Sequence, residues 1–364
     1  MLSRRAAGRI RVLQAHCCAQ RPLSPQNRNA PPVLPTVVAP TLSSPATRAV
    51  TNQATPLPGY NAAPMLRSAA THAVTNQATP LSGYNAFSGD PVLVAITEHF
   101  GGGWGSSRLS SLGRDVGSVE WQQKSRNANA VPPRLETHDR FGNRRDAAEF
   151  HPAYHELMAL GLESGAAAFA WEPEHRGKIG AHVIRGALMY LMYQLNPGVC
   201  CPITMTFAAT PALEAGTRGG RKIPFLEEIL HKLRLPGYSG ADIPLQDKPA
   251  VTVGMSMTEK QGGSDVRANT THATPLRPED SGSGDEFELV GHKWFTSAPM
   301  SDGFLTLAHT QEGVSCFLVP RWLPMAHGTR NEGFQLQRLK DKMGDKSNAS
   351  SEVEYRQARG WMIG

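Results

Sequence analysis

Near Lys248 the hydrophobic period of the chain changes, and this change restricts the fold more than any other feature. Before it, apolar residues recur every three or four positions. Phe225, Leu226, Ile229, Leu230 and Leu233 form one stripe, and Pro236-Gly237 ends it. Asp90 followed by Pro91 has the chemistry of a helix start, an acid that can cap and a proline in the first turn. Further helices are predicted at Pro152 to Leu162, Ala181 to Leu195 and Ile223 to Leu235. After Lys248 the runs Ala250-Val-Thr-Val-Gly-Met, Glu286-Phe-Glu-Leu-Val, Phe304-Leu-Thr-Leu-Ala, Ser315-Cys-Phe-Leu-Val and Glu352-Val-Glu-Tyr are short, and are broken by Gly, Asp and Pro. The expected fold class is α+β: an all-helical N-terminal part, then a compact antiparallel β domain in which Ser281-Gly-Ser-Gly-Asp285 forms an exposed hairpin turn.

Charge is divided unevenly along the 364 residues. Residues 1 to 89 hold eight arginines, no lysine and no acid, which leaves 29 basic and 31 acidic residues after them. The net +6 of the whole chain therefore does not mark the body as a nucleic-acid surface, because the body is −2. The arginine-rich, acid-free start, Met1-Leu-Ser-Arg-Arg-Ala-Ala-Gly-Arg-Ile-Arg-Val-Leu13, has the composition of a mitochondrial transit peptide, the alternative being an untranslated or mis-joined leader. Residues 22 to 66 carry too few large apolar side chains to offset the entropy of ordering, so they are expected to be disordered. Thr47 to Ala62 recurs at Thr71 to Ala86 with fourteen identities in sixteen, and two copies are too few for a solenoid. The five cysteines form no C-x-x-C pair, which points to a reducing compartment and no structural metal. No apolar run reaches the roughly 20 residues of a membrane span.

Three segments carry chemistry. The first, Met255-Ser-Met-Thr-Glu-Lys-Gln-Gly-Gly-Ser-Asp265, leaves a strand with hydroxyls, an acid and two glycines that let backbone N–H groups approach a flat or phosphorylated ligand. Alone it reads as an ordinary turn. Gly291-His-Lys-Trp-Phe-Thr-Ser297 follows, and then Lys340-Asp-Lys-Met-Gly-Asp-Lys-Ser-Asn-Ala-Ser-Ser-Glu-Val-Glu-Tyr355. In order and spacing the three resemble the middle β domain of the acyl-CoA dehydrogenase flavoproteins. Lys260-Gln261 after Thr258-Glu259, Cys201-Pro-Ile-Thr-Met-Thr-Phe-Ala-Ala-Thr-Pro211, Phe150-His-Pro-Ala-Tyr-His155 and Ser347-Asn-Ala-Ser350 are similar to one branch, the DNA-alkylation-response flavoproteins related to isovaleryl-CoA dehydrogenase. The resemblance runs from about Thr71 to Gly364.

The resemblance implies a helical N-terminal domain at 71–245 and a β-barrel-like, FAD-binding middle domain at 246–358. The leader, 1–70, precedes them, and 359–364 would open a C-terminal helical domain that the chain lacks. It places the flavin ring against Met255, Ser256, Met257, Thr258, Glu259, Lys260, Gln261, Gly262, Gly263 and Ser264, and against Phe295, Thr296 and Ser297, with Thr258 and nearby amides at the reactive edge. Ser264 also stands where the family contacts acyl-CoA. Without the motif, Phe295 would read as a core aromatic.

His151 and His155, spaced i, i+4 with Glu156 adjacent, lack a third ligand and read as helix-packing histidines. Cys200 and Cys201 have no indicated base and read as small buried side chains. In the family a glutamate of the C-terminal domain removes the α-proton while hydride passes to the flavin. With the chain ending at Gly364, no catalytic residue is assigned, and weak FAD binding and poor turnover are expected. The sequence leaves three functions open: an acyl-CoA dehydrogenase-like oxidoreductase, a flavoprotein of DNA-alkylation stress that binds DNA through its C-terminal domain, and a non-enzymatic fragment. The resemblance implies a homotetramer for the full-length protein and leaves the electron acceptor unknown.

Overall fold

The computed structural model describes residues 80–216, 220–279, 282–324 and 328–364. The leader, its transit-peptide reading and the first copy of the repeat lie outside the described residues, as does most of the second copy. The described residues all belong to one compact unit.

The helical part runs α1 (Pro91–His99), α2 (Ser106–Val116), α3 (Val119–Ala130), a hairpin of β1 (Arg134–His138) and β2 (Arg144–Glu149), then α4 (Pro152–Glu163), α5 (Ala181–Leu195), α6 (Pro197–Gly216) and α7 (Leu226–Leu233). Local chemistry explains the starts. The Asp90 carboxylate accepts from Val92 and Leu93 N–H, and the Ser118 hydroxyl accepts from Trp121 N–H. On α7, Leu226, Ile229, Leu230 and Leu233 are buried, as the stripe predicts. His151 does not pack inside α4 beside His155: it is the N-cap, its Nδ1 accepting from Ala153 N–H. The sequence did not mark α6 as a helix because Pro202 and Pro211 interrupt it. Burial on both sides holds it together: Val199, Cys200 and Ile203 join the helical core, while Ala209 and Leu213 join a second cluster with Val253, Leu305, Leu318 and Trp361 of the sheet.

The β part comprises β3 (Val253–Ser256), β4 (His272–Pro275), β5 (Glu286–Ser297), β6 (Gly303–Thr310), β7 (Gly313–Pro320), β8 (Phe334–Leu339) and β9 (Ser350–Met362). β6, β4, β5, β9 and β7 pair in succession, and β7 pairs back onto β6, so the sheet closes on itself as a barrel with β3 and β8 on its flanks. The α+β class and the barrel-like second part are as expected, but the sheet is mixed rather than antiparallel, since β3 and β4 both run parallel to β6. The cause is local. Buried Asp302, at the start of β6, accepts from Thr252 N–H at 2.8 Å and pairs with Lys248 at 2.6 Å, which docks the entry of β3 alongside the entry of β6. Residue 281 of the expected turn lies outside the described residues; 282–285 do lie between two antiparallel strands, but are not freely exposed: Ser283 C=O accepts from Arg221 N–H, and Gly284 and Asp285 are buried. Residues 359–362 continue β9, with Trp361 paired to Glu286 and Met362 to Phe317.

Candidate functional site at the bulge of β5

The two long strands β5 and β9 pair over most of their length, and their register slips between Lys293 and Thr296. A bulge leaves backbone groups unpaired and re-aims side chains. Here it frees Trp294 N–H to donate to Thr258 C=O at 2.8 Å, tying the 255–265 loop to β5. Beneath this tie, the fully buried hydroxyls of Ser256 and Thr296 bond each other at 2.5 Å. Two of the three chemistry-bearing segments therefore meet side by side.

The loop is held by Glu259. Its carboxylate accepts from Thr270 N–H, from Thr271 N–H and Oγ1, and from Lys293 Nζ at 2.7 Å, and both members of this ion pair are buried. Burial alone would raise the Glu259 carboxyl, but the hydrogen bonds from Lys293, Thr270 and Thr271 overcome it and bring its pKa down to about 2. Glu259 N–H and C=O also close on Gly262, where a Cβ would stand 2.4 Å from Asn269 Oδ1, and Asn269 in turn donates to Met257 C=O. The loop is a fixed shelf.

Each expected site residue can be placed. Ser256, Thr296 and Glu259 are buried and serve the frame through their side chains, and Gly262 is buried in the loop's turn. Met255, Met257 and Thr258 are half-buried, while Lys260, Gln261, Gly263 and Ser264 are exposed. Gln261 donates to Glu259, and Lys260 lies 4.8 Å from the centre of the Trp294 ring. Phe295 is 45% exposed, which an ordinary core aromatic is not. Phe295 and Ser297 line a cavity of about 580 Å³, with Pro197, Gly198 and Cys201 at the start of α6 opposite and the 340–350 segment as its third wall. The Ser297 hydroxyl lies 3.3 Å from that of Ser350. The 255–264 loop does not line this cavity and reaches it only through β5.

Residues outside the expected set complete the site. Lys340 sits 3.1 Å from the Trp294 ring centre and 4.8 Å from that of Phe295, and it shares the Glu352 carboxylate with Arg338. This places cations beside the half-buried Trp294 and the exposed Phe295, an arrangement suited to an anionic, flat ligand. Cys201 is not simply a small buried side chain: it is half-buried and lines the cavity together with Ser297, while burial still raises its thiol pKa. The sequence did not show that Lys260 and Lys340, each more than 30 positions from Trp294 and Phe295, would gather beside them. Nothing local could reveal that Cys201 faces Ser297, 96 positions away.

Two family models match the chain: the adaptive response protein AidB N-terminal domain over residues 76–232, and the acyl-CoA dehydrogenase middle domain over residues 254–358. The chain belongs to the acyl-CoA dehydrogenase family. It is 44% identical over 275 residues to AidB of Escherichia coli (strain K12), a candidate acyl-CoA dehydrogenase, covering 76% of this chain and 48% of that protein. It is 30% identical over 259 residues to acyl-CoA dehydrogenase family member 11 of Caenorhabditis elegans, covering 67% of this chain and 38% of that one. Among solved structures, Caenorhabditis elegans ACDH-11 in complex with C11-CoA superposes with a TM-score of 0.67 at 27% identity, over 81% of this chain and 49% of that one. The chain thus spans about half the length or less of the curated acyl-CoA dehydrogenase relatives it matches.

Proposed function

We propose that this chain is the flavin-holding part of an FAD-dependent oxidoreductase that introduces an α,β double bond into an acyl-CoA thioester. The observation that carries the proposal is the exposed Phe295 with Ser297 at the β5 bulge, braced by the Glu259–Lys293 shelf, inside a segment that matches the acyl-CoA dehydrogenase middle domain. Phe295 offers a flat apolar face and Ser297 a hydroxyl to a tricyclic ring with polar edges, while the 258–264 loop, which does not line that cavity, would supply backbone amides only where the ring extends past β5. Lys340 and Lys260 supply positive charge beside it. When bound, FAD would accept the hydride. Exposed Ser264 is free to meet the acyl-CoA, and ACDH-11 was solved with such a ligand. No described residue is assigned as the base that removes the α-proton.

Purified chain mixed with excess FAD should take up flavin, read as quenching of the free flavin's fluorescence. Phe295→Ala and Ser297→Ala should each lower the bound flavin fraction, and wild-type protein that never takes up flavin would overturn the proposal. A second function, in the response to DNA alkylation, is favoured by the 44% identity to AidB and the match to the adaptive response domain. Residues 90–364 carry a net charge of −2, so this body offers little bulk attraction to a phosphate backbone. DNA retention by this chain that weakens steeply with salt would favour the second function.

A further inference from the structure

A second cavity, of about 390 Å³, lies between α4, the start of α6, the 238–242 segment and the turn after β5. It is distinct from the Phe295 cavity, although neighbouring residues line both: Cys201 and Ser297 face the first, Pro202 and Ala298 the second. Part of the wall between them is Tyr154, which lines the second cavity and whose hydroxyl meets Asn348 of the first at 3.4 Å.

The lining is mixed: Ala148, Phe150, Met158, Pro202 and Met300 supply apolar walls, and Tyr238, Ser239, Thr252 and Ser301 add hydroxyl-bearing residues. Its charged neighbours are engaged or at the rim. Arg145 pairs with Glu136, Asp242 pairs with Arg321 and Arg330, and Glu149 is exposed. The distinctive polar group is His155. Its Nδ1 lies 2.8 Å from the Tyr238 hydroxyl, and its ring stands edge-on to Phe150 and Tyr154. Burial keeps the imidazole neutral by lowering its pKa, and burial pushes Tyr238 up, so the phenol keeps its proton. Either group can be the donor in this bond, depending on the tautomer. With the phenol donating, the imidazole proton is on Nε2, which has no partner among the described residues. Space has been left for this pair: a Cβ on Gly240 would stand 2.5 Å from His155 Nδ1 and 3.0 Å from the Tyr238 oxygen.

We propose that Tyr238 donates to His155 Nδ1 and that this cavity binds a compact molecule with apolar flanks and one hydrogen-bond-acceptor oxygen, such as a small ketone, ester or amide, which His155 Nε2–H recognises. A pocket of mixed lining gains binding free energy from its apolar walls and fixes orientation through a placed donor. A ligand lacking the acceptor leaves the half-buried His155 donor unpaired, which costs a factor of about ten.

The test uses full-length chain labelled with 15N-histidine and two probes of matched shape: acetophenone, and α-methylstyrene, in which a CH2 group replaces the carbonyl oxygen. The expected result is saturable acetophenone binding that shifts the His155 Nε2 resonance and is about tenfold tighter than binding of α-methylstyrene. In His155→Phe the two probes should bind alike, and Ala148→Leu, which fills the cavity, should weaken both. Failure of acetophenone to bind, equal affinities in the wild type, or a preference that survives in His155→Phe would overturn the proposal. Binding that survives Ala148→Leu but is lost in Cys201→Phe would place the probe in the other cavity and overturn it as well. If a cavity-filling variant does not fold, the wild-type probe comparison and the histidine resonance still decide.

Discussion

At the scale of single residues, the site rests on Glu259 and Lys293. Removing one member of a buried pair leaves the other charge uncompensated, which costs about 3–5 kcal/mol. Lys293→Met and Glu259→Gln should therefore each lower unfolding stability by about that much, the first stranding the carboxylate and the second the buried ammonium. Urea unfolding at neutral pH measures both. The same carboxylate gives a pH dependence of definite sign. Its folded pKa, about 2, lies below the ordinary carboxylate value of roughly 4.3. Its contribution is thus fully present above that ordinary value and is lost as pH falls through it toward 2. Wild-type stability should drop between pH 5 and 2 more steeply than that of Glu259→Gln (about these limits), and parallel curves would remove Glu259 from this role. The sequence singled out Glu259 only as a member of a loop. Its pairing with Lys293, 34 positions later, exists only once β5 lies beside that loop.

At the scale of elements, periodicity revealed what periodicity controls. The α7 stripe and the strand runs at 286–290, 304–308 and 315–319 all fall in the predicted elements, because each buries one face or both. What failed had other causes. α6 hides behind two prolines, α3 has little apolar surface and starts on a single capping serine, and the parallel entry of β3 depends on Asp302 rather than on any pattern within β3. Asp302→Ala should consequently strand Lys248 and free Thr252 N–H, destabilising the chain by about 3 kcal/mol or more. Asp302→Asn retains an acceptor for Thr252 and should cost less. A second brace, Asp242, pairs with buried Arg321 and with Arg330 and accepts from the Trp322 indole, fastening the 238–242 segment to the end of β7. Asp242→Ala should loosen that segment, and faster amide exchange at residues 238–242 would show it.

At the scale of the whole molecule, helices and barrel share one interior. The cluster that joins Leu213, Phe225 and Ile229 to Val253, Leu318, Trp361 and Ile363 crosses from one to the other, with Phe225 and Trp361 edge to face at 4.7 Å. Residues 80–364 should therefore unfold together. A single calorimetric transition whose van't Hoff and calorimetric enthalpies agree is expected, and two separate transitions would contradict it. Trp361→Ala, which empties the middle of this contact, should cost about 3–5 kcal/mol in that one transition. The division of labour was legible in the sequence as a change of period at Lys248. The shared interior was not, because a sequence pattern shows which face is apolar and leaves its partner unspecified.

The place of Cys201 gives this molecule its own occupancy gauge. A thiol in the wall of the Phe295 cavity is shielded by whatever fills that space, so its alkylation rate by a small reagent, followed by peptide mass mapping, reads how full the cavity is. Its neighbour Cys200 is fully buried, with its thiol pushed up to about 12, and so supplies an internal reference on the same peptide.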